Sequence, residues 1–292
     1  MKTAILTDST SDLPSDIINS FDYLYTIPLN IHFKEENFRD GEEISSERFF
    51  ARINKTGEIP STSQPSVGEF LKTYEHLGEE YDQILSIHLS AELSGTISSA
   101  HTAAQQIEKV DIEIFDSGSA SLGLGFMVML AAELLEKGQS FQEVIKILSK
   151  AKNKTHVYFT VDDLTYLKEG GRIGKARAFL GSILNFHPLL TLPAYKGEVV
   201  PRGKARGKKR FEQKLMNEIR NDLADDKFAW LGVLHGSNPD NARDIQQTTE
   251  NILEELNIES RIYSNIISPV LGCHTGPSVY GLALMNGEFL NI

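Results

Sequence analysis

Four short loops carry most of the chemistry this chain could do. They read Asp8-Ser-Thr-Ser-Asp-Leu-Pro14, Thr62-Ser-Gln-Pro-Ser66, Leu93-Ser-Gly-Thr96 and His274-Thr-Gly-Pro277. Hydroxyls and free backbone N–H groups, often at a helix N-terminus, make a cradle for an anion. None of the four loops contains Lys or Arg. That combination suits a small carboxylate better than a polyphosphate and points away from nucleotide hydrolysis.

Strand-to-helix junctions are the natural place for such loops. Three of the four follow apolar runs that look like strands; the Thr62 loop follows a polar, turn-rich stretch. Strands are expected at 4–6, 83–88 and 111–115, with helices over 14–20, 67–77 and 96–109 between them. Strand, polar loop and helix in repetition imply βαβ units and a mainly parallel sheet, with ligands beyond the carboxyl ends of the strands. Two helices follow, over 118–137, with Gly138 as its C-cap, and over 141–152. The second half repeats the alternation: strand 155–161, helices 162–169 and 176–186, strands 188–193 and 198–201, helix 205–224, strand 228–235, helix 238–256 and strand 259–267. The stretch 279–285 reads as a short buried helix or strand. The fold class is therefore α/β, with two α/β domains, 1–155 and 156–292. The first is expected to carry a mainly parallel, Rossmann-like sheet.

Composition narrows the class further. With 29 basic and 40 acidic side chains the net charge is −11, which argues against nucleic-acid binding, where a basic face is expected. Cys273 is the single cysteine, so no disulfide framework exists. The first residues turn polar too early for a signal peptide. The apolar stretch 122–135 falls short of the roughly 18 residues of a membrane span. A cytoplasmic protein is expected.

Familiar enzyme signatures fail. Gly170-Gly-Arg-Ile-Gly-Lys-Ala176 resembles a phosphate loop, but Glu169 stands where the first Gly belongs and Ala176 replaces the magnesium-binding hydroxyl. No GxGxxG follows the first strand, and there is no GxSxG elbow or HExxH. The eight histidines show no metal-ligand spacing. No catalytic residue, metal or cofactor is expected.

Taken in order, DSTSDLP (8–14), TSQPS (62–66), LSGT with SSA (93–100), DSGSAS-G-G (116–125), LxYLKxGGRIG (164–174) and HTGP (274–277) resemble the motifs of the DegV family. That family includes the fatty-acid-binding subunits of bacterial fatty acid kinase. The resemblance implies a two-domain α/β protein that buries one long-chain fatty acid, such as palmitate, in a pocket between its domains. The family's carboxylate-binding hydroxyls fall on Thr62 and Ser94, with the Gly95 backbone beside them and His274 close to the same head group. A partner fatty acid kinase would then phosphorylate the bound carboxylate. On this reading the chain is a lipid-binding carrier in fatty acid metabolism rather than the catalyst.

Each of these residues also has a plainer role. Thr62 and Ser94 could cap helices, a role compatible with facing an anion. Asp8, Asp12 and Asp116 suit Asx-turns or N-caps. Tunnel walls are expected from Phe159, Leu164, Leu167, Phe179, Ile183, Leu184, Phe186, Ile266 and Ile267, each of which could equally be core. Two basic clusters, one at Lys168, Arg172, Lys175 and Arg177 and one from Arg202 to Arg210, could be solvated faces or docking patches for an acidic partner. In the family, Arg172 and Arg202 match positions implicated in engaging the kinase. A phospholipid surface, met transiently, is a rival partner for the same patch. The alternative function is a serine hydrolase or acyltransferase with Ser94 as nucleophile and His274 as base.

Overall fold

The computed structural model describes residues 1–181, 186–223 and 226–292. The first apolar run forms β1 (Thr3–Asp8) and passes through a 3-10 turn, Ser9–Ser11, to the short α1 (Ser15–Ile18) and β2 (Leu24–Ile27). Next come β3 (Asn30–His32), β4 (Asn37–Arg39), α2 (Ser46–Thr56) and β5 (Ser61–Ser63). These three strands make a small antiparallel sheet of order β4-β3-β5. Thr62 therefore lies in a strand, paired with Ile31, rather than in a loop. Ser45 opens α2 by accepting from the Arg48 amide, and Gly57 closes it at φ +67°.

α3 (Val67–Leu77) opens on a capping box, with the Ser66 hydroxyl accepting from the Glu69 amide and the Glu69 carboxylate accepting from the Ser66 amide. β6 (Gln83–His88), α4 (Thr96–Ala104) and β7 (Asp111–Asp116) complete the N-terminal unit. β1, β2, β6 and β7 form one sheet of order β2-β1-β6-β7 in which every pairing is parallel. α3 and α4 cover one face, burying Phe70, Tyr74, Ala100 and Ala103 against Ala4, Leu6 and Ile84.

α5 (Leu122–Glu136) is buried almost all round, as an unbroken apolar helix must be. It packs against β1 and β6 on one side. On the other it meets β8 (Thr155–Thr160) and two later strands, with α6 (Phe141–Lys152) alongside. Beyond β8 run α7 (Thr165–Glu169), a 3-10 turn over Gly174–Phe179, β9 (His187–Pro193) and β10 (Val200–Ala205). The chain closes with α8 (Lys208–Leu223), β11 (Phe228–His235), α9 (Pro239–Glu255), β12 (Glu259–Ile266), α10 (Pro269–Thr275) and β13 (Tyr280–Asn286).

The C-terminal sheet has the order β10-β9-β8-β13-β11-β12. Here the expected mainly parallel alternation gives way: β11 and β12 are the parallel pair, and the other four pairings are antiparallel. A direct β9–β10 hairpin and the return of β13 between β8 and β11 account for this. α8 and α9 cover the outer face and α5 the inner one. The expected helix over 176–186 is a 3-10 turn as far as Phe179, and residues 182–185 lie outside the described residues. No helix among the described residues is long and apolar enough to cross a membrane.

Candidate functional site

Beyond the carboxyl ends of β6 and β7, facing β8, β13 and α10, lies a cleft of about 950 Å³ counting its open mouth. Leu29, Leu89, Val157, Phe159, Leu192 and Leu234 supply much of its apolar wall. Its polar wall comes from Thr62, Gln64, Ser94, Ser121, Arg172, His274 and Thr275, with the mainly apolar Tyr158 also at its edge. Thr62 and His274 meet through their side chains, Arg172 bonds the carbonyl just before Ser94, and Gln64 packs over Gly95, whereas the Ser121 hydroxyl is donated to Asp12.

Thr62 is brought in by β5 and His274 by the last turn of α10. The run HTGP is thus the end of a helix, and Gly276 turns the chain out of it at φ +76°. The Thr62 hydroxyl and His274 Nε2 are 2.8 Å apart. Nδ1 of His274 is buried and has no hydrogen-bond partner among the described residues. Burial first, and the Arg172 guanidinium second, pull the imidazole down to about 4, so the ring is neutral at pH 7. α7 and its glycines fix the ring from behind. A Cβ on Gly170 would come within 2.2 Å of His274 Nδ1, and one on Gly276 within 2.6 Å of the Tyr166 ring. The GGRIG and HTGP motifs are therefore two halves of one contact.

Ser94 lies between β6 and α4, just before the N-cap residue Gly95. Its hydroxyl is 2.9 Å from Thr96 Oγ1 and accepts from the Thr96 amide at 3.3 Å. This is the local turn expected of a hydroxyl at a helix start, at the positive end of α4. Gln64 packs over Gly95, where a Cβ would come within 2.8 Å of its Nε2. Arg172 lines the cleft with Nε donating to the Leu93 carbonyl at 2.9 Å and Nη1 to Gly170 at 2.7 Å. It ties the Ser94 turn to the His274 side and sets a fixed positive charge beside both. Arg202 is outside the cleft wall, on β10, 3.8 Å from Glu218.

Of the expected tunnel residues, Phe159, Leu167 and Ile267 line the cleft. Leu164 is plain core, and Phe179, Phe186 and Ile266 are outside the lining. Ile183 and Leu184 lie outside the described residues. Gln64 and Thr275 were legible as members of motifs but not as wall residues. The Asp8 loop does not line the cleft; its side chains turn inward.

The geometry does not assemble a hydrolase from Ser94 and His274. The His274 Nε2 faces Thr62, the Ser94 hydroxyl faces Thr96, and among the described residues no carboxylate bonds Nδ1. A Ser–His–Asp line does occur elsewhere: Ser86 Oγ is 2.7 Å from His88 Nε2, and His88 Nδ1 is 3.0 Å from Asp8. All three are fully buried at 0% exposure and outside the cleft, with Ser86 also bonded to Tyr74, so this line is structural. Among the described residues no group of three or more His, Cys, Asp or Glu could hold a metal ion.

Fold and site together define a two-domain α/β protein with an apolar cleft between its sheets and a hydroxyl-, imidazole- and guanidinium-lined polar wall. The family model described as an uncharacterised protein of the DegV family matches residues 2–286. Protein DegV of Bacillus subtilis is 34% identical over 286 residues, covering 97% of this chain and 98% of the relative. A DegV domain-containing protein of Clostridium acetobutylicum is 33% identical over 287 residues, covering 97% and 98%. Among solved structures, a fatty-acid-binding DegV family protein from Thermus thermophilus matches with a TM-score of 0.91 at 36% identity, covering 98% of this chain and 100% of that one. DegV of B. subtilis, a fatty acid binding protein, matches at 0.87 and 32% identity, again covering 98% and 100%. The chain belongs to the DegV family.

Proposed function

We propose that this protein binds one long-chain fatty acid, with the alkyl chain in the apolar cleft and the carboxylate at Thr62, Ser94, the Gly95 backbone and His274. The observation that carries this reading is that Thr62, Ser94, His274 and Arg172 all line one largely apolar cleft, with Thr62 beside His274 and Arg172 bonded to the carbonyl before Ser94. A neutral imidazole can donate one hydrogen bond to an anion without itself competing for the role of counter-charge. Arg172 and the N-terminus of α4 supply the positive potential. Hydrogen bonds to a charged acceptor contribute roughly 1.5–3 kcal/mol each. The alkyl chain contributes more: at about 0.8 kcal/mol per methylene, a chain of about 15 carbons yields on the order of 12 kcal/mol before ordering costs. Head-group contacts therefore set orientation and the cleft sets affinity.

Presentation of the carboxylate to a fatty acid kinase extends the same reading. Arg172, half-exposed in the cleft wall, and Arg202, on the outer sheet edge, are the docking residues it invokes. Titration with a fluorescent long-chain acid tests the binding step. Thr62→Ala combined with Ser94→Ala is expected to weaken retention by about 100-fold or more, the loss of two charged hydrogen bonds, in a protein that stays folded. Unchanged affinity in the folded double variant would remove these hydroxyls from the site.

A further inference from the structure

The first motif, Asp8 to Pro14, takes no part in the cleft wall, yet its side chains are among the most buried polar groups in the molecule: Asp8 is 0% and Asp12 6% exposed. Asp12, held at φ +50°, faces the other domain. Its Oδ1 accepts from the Ser268 amide at 2.9 Å, its Oδ2 from the Ser121 hydroxyl at 2.5 Å, and its backbone carbonyl from Asn265 Nδ2 at 2.7 Å. Ser268 is the N-cap residue of α10, but its own hydroxyl makes no cap bond. The carboxylate from the opposite domain accepts from the amide of the N-cap residue itself, the bond that the third helical residue would make in a capping box.

A second buried carboxyl is bonded to the same motif. Asp40, 2% exposed, accepts from the Ser9 hydroxyl at 2.8 Å, and Ser9 Oγ accepts in turn from the Leu29 amide at 3.1 Å. Oδ1 of Asp40 has no hydrogen-bond partner among the described residues. Burying two carboxyls together is costly. Desolvation pushes Asp12 up to about 7 and Asp40 up to about 8, with Asp8 adding repulsion to both. What Asp12 holds is a seven-residue helix whose last turn carries His274. At seven residues α10 makes few internal hydrogen bonds, and helices this short depend on tertiary contacts and caps.

We propose that Asp12 is a positioning residue, which fixes the N-terminal end of α10 from the opposite domain and thereby holds His274 against Thr62 at the cleft. The consequence for ligand retention rests on the fatty-acid reading above; the placement of His274 does not.

Protein carrying 15N-labelled histidine separates the two. The His274 imidazole signals are assigned by their loss in His274→Asn. In Asp12→Ala those signals move and release of a fluorescent long-chain acid quickens by at least about tenfold, the factor given by about 1.4 kcal/mol. Asp12→Asn keeps an oxygen for the Ser268 amide and restores both readouts toward the parent, which a loss of bulk stability would not do. Should Asp12→Ala fail to fold, Asn265→Ala removes one link to the same loop from a half-buried position and shifts both readouts in the same direction by a smaller factor. Unmoved His274 signals in a folded Asp12→Ala or Asn265→Ala protein overturn the proposal. Moved signals in the variants, with a parent protein that takes up no fatty acid, support the positioning role and overturn the fatty-acid reading instead.

Discussion

His274 is neutral because burial removes water from the ring and Arg172 opposes its charging. In the unfolded chain the same ring titrates near its ordinary 6.5. Between pH 6.5 and 4 the unfolded state therefore takes up a proton that the folded state refuses, so this group's contribution to stability is complete above 6.5 and is lost as the pH falls to about 4. The loss amounts to at most about 3 kcal/mol at ~1.36 kcal/mol per pH unit. Denaturant melts of the parent and of His274→Asn are expected to converge over that window, because the variant lacks the term. Parallel stability curves across it would show that the ring is not held neutral. The buried Asp12 and Asp40, shifted upward, act with the opposite sign in both proteins and cancel in the comparison.

At the scale of elements, two short helices and one strand deliver the polar wall: α7 with its glycines, α10, and β5. Gly170 sets how closely α7 can approach. Gly170→Ala is expected to push the His274 ring off Thr62, lowering ligand affinity and costing about 1–3 kcal/mol of stability, as overpacking does. The parent's affinity and melting point in that variant would mean the α7–α10 contact has room to spare. These elements were also the least legible in the sequence. The helices with an N-terminal serine and a clean apolar face, α3 over Val67–Leu77 and α6 over Phe141–Lys152, fall where expected, as does β11 over Phe228–His235. β3 and β5 are three residues each, too short for period-2 alternation to register, and α2 hides in a polar stretch with one apolar face at Phe49, Phe50 and Ile53. α10 spans barely two turns, too short for helical periodicity to register, and no element is expected from sequence between the strand ending at 267 and the HTGP motif. Strand direction in the C-terminal sheet is set by tertiary pairing and leaves no local trace. Thr62, Ser94 and His274 came from ordered motifs, whereas the cleft wall, which depends on gaps in packing, could not be read from residue types.

For the whole molecule, the two sheets and the buried α5 between them place the apolar cleft where both domains contribute walls. A ligand there bridges the domains, and anything that binds the folded state alone also stabilises it. Docking of a second protein would use the outer surface. Arg202 is the cleaner probe of that step, because Arg172 also bonds Leu93 and Gly170 inside the cleft. Arg202→Glu is expected to leave fatty-acid binding intact and slow kinase-dependent phosphorylation of the bound acid; equal rates would exclude Arg202 from docking. The central claim, that the cleft holds a fatty acid, is tested most directly by comparing the mass of the purified protein under native and denaturing conditions and identifying what is released. The account predicts one long-chain fatty acid per chain, recovered or taken up on addition. A protein that carries none and takes up none from a series of free fatty acids would contradict it.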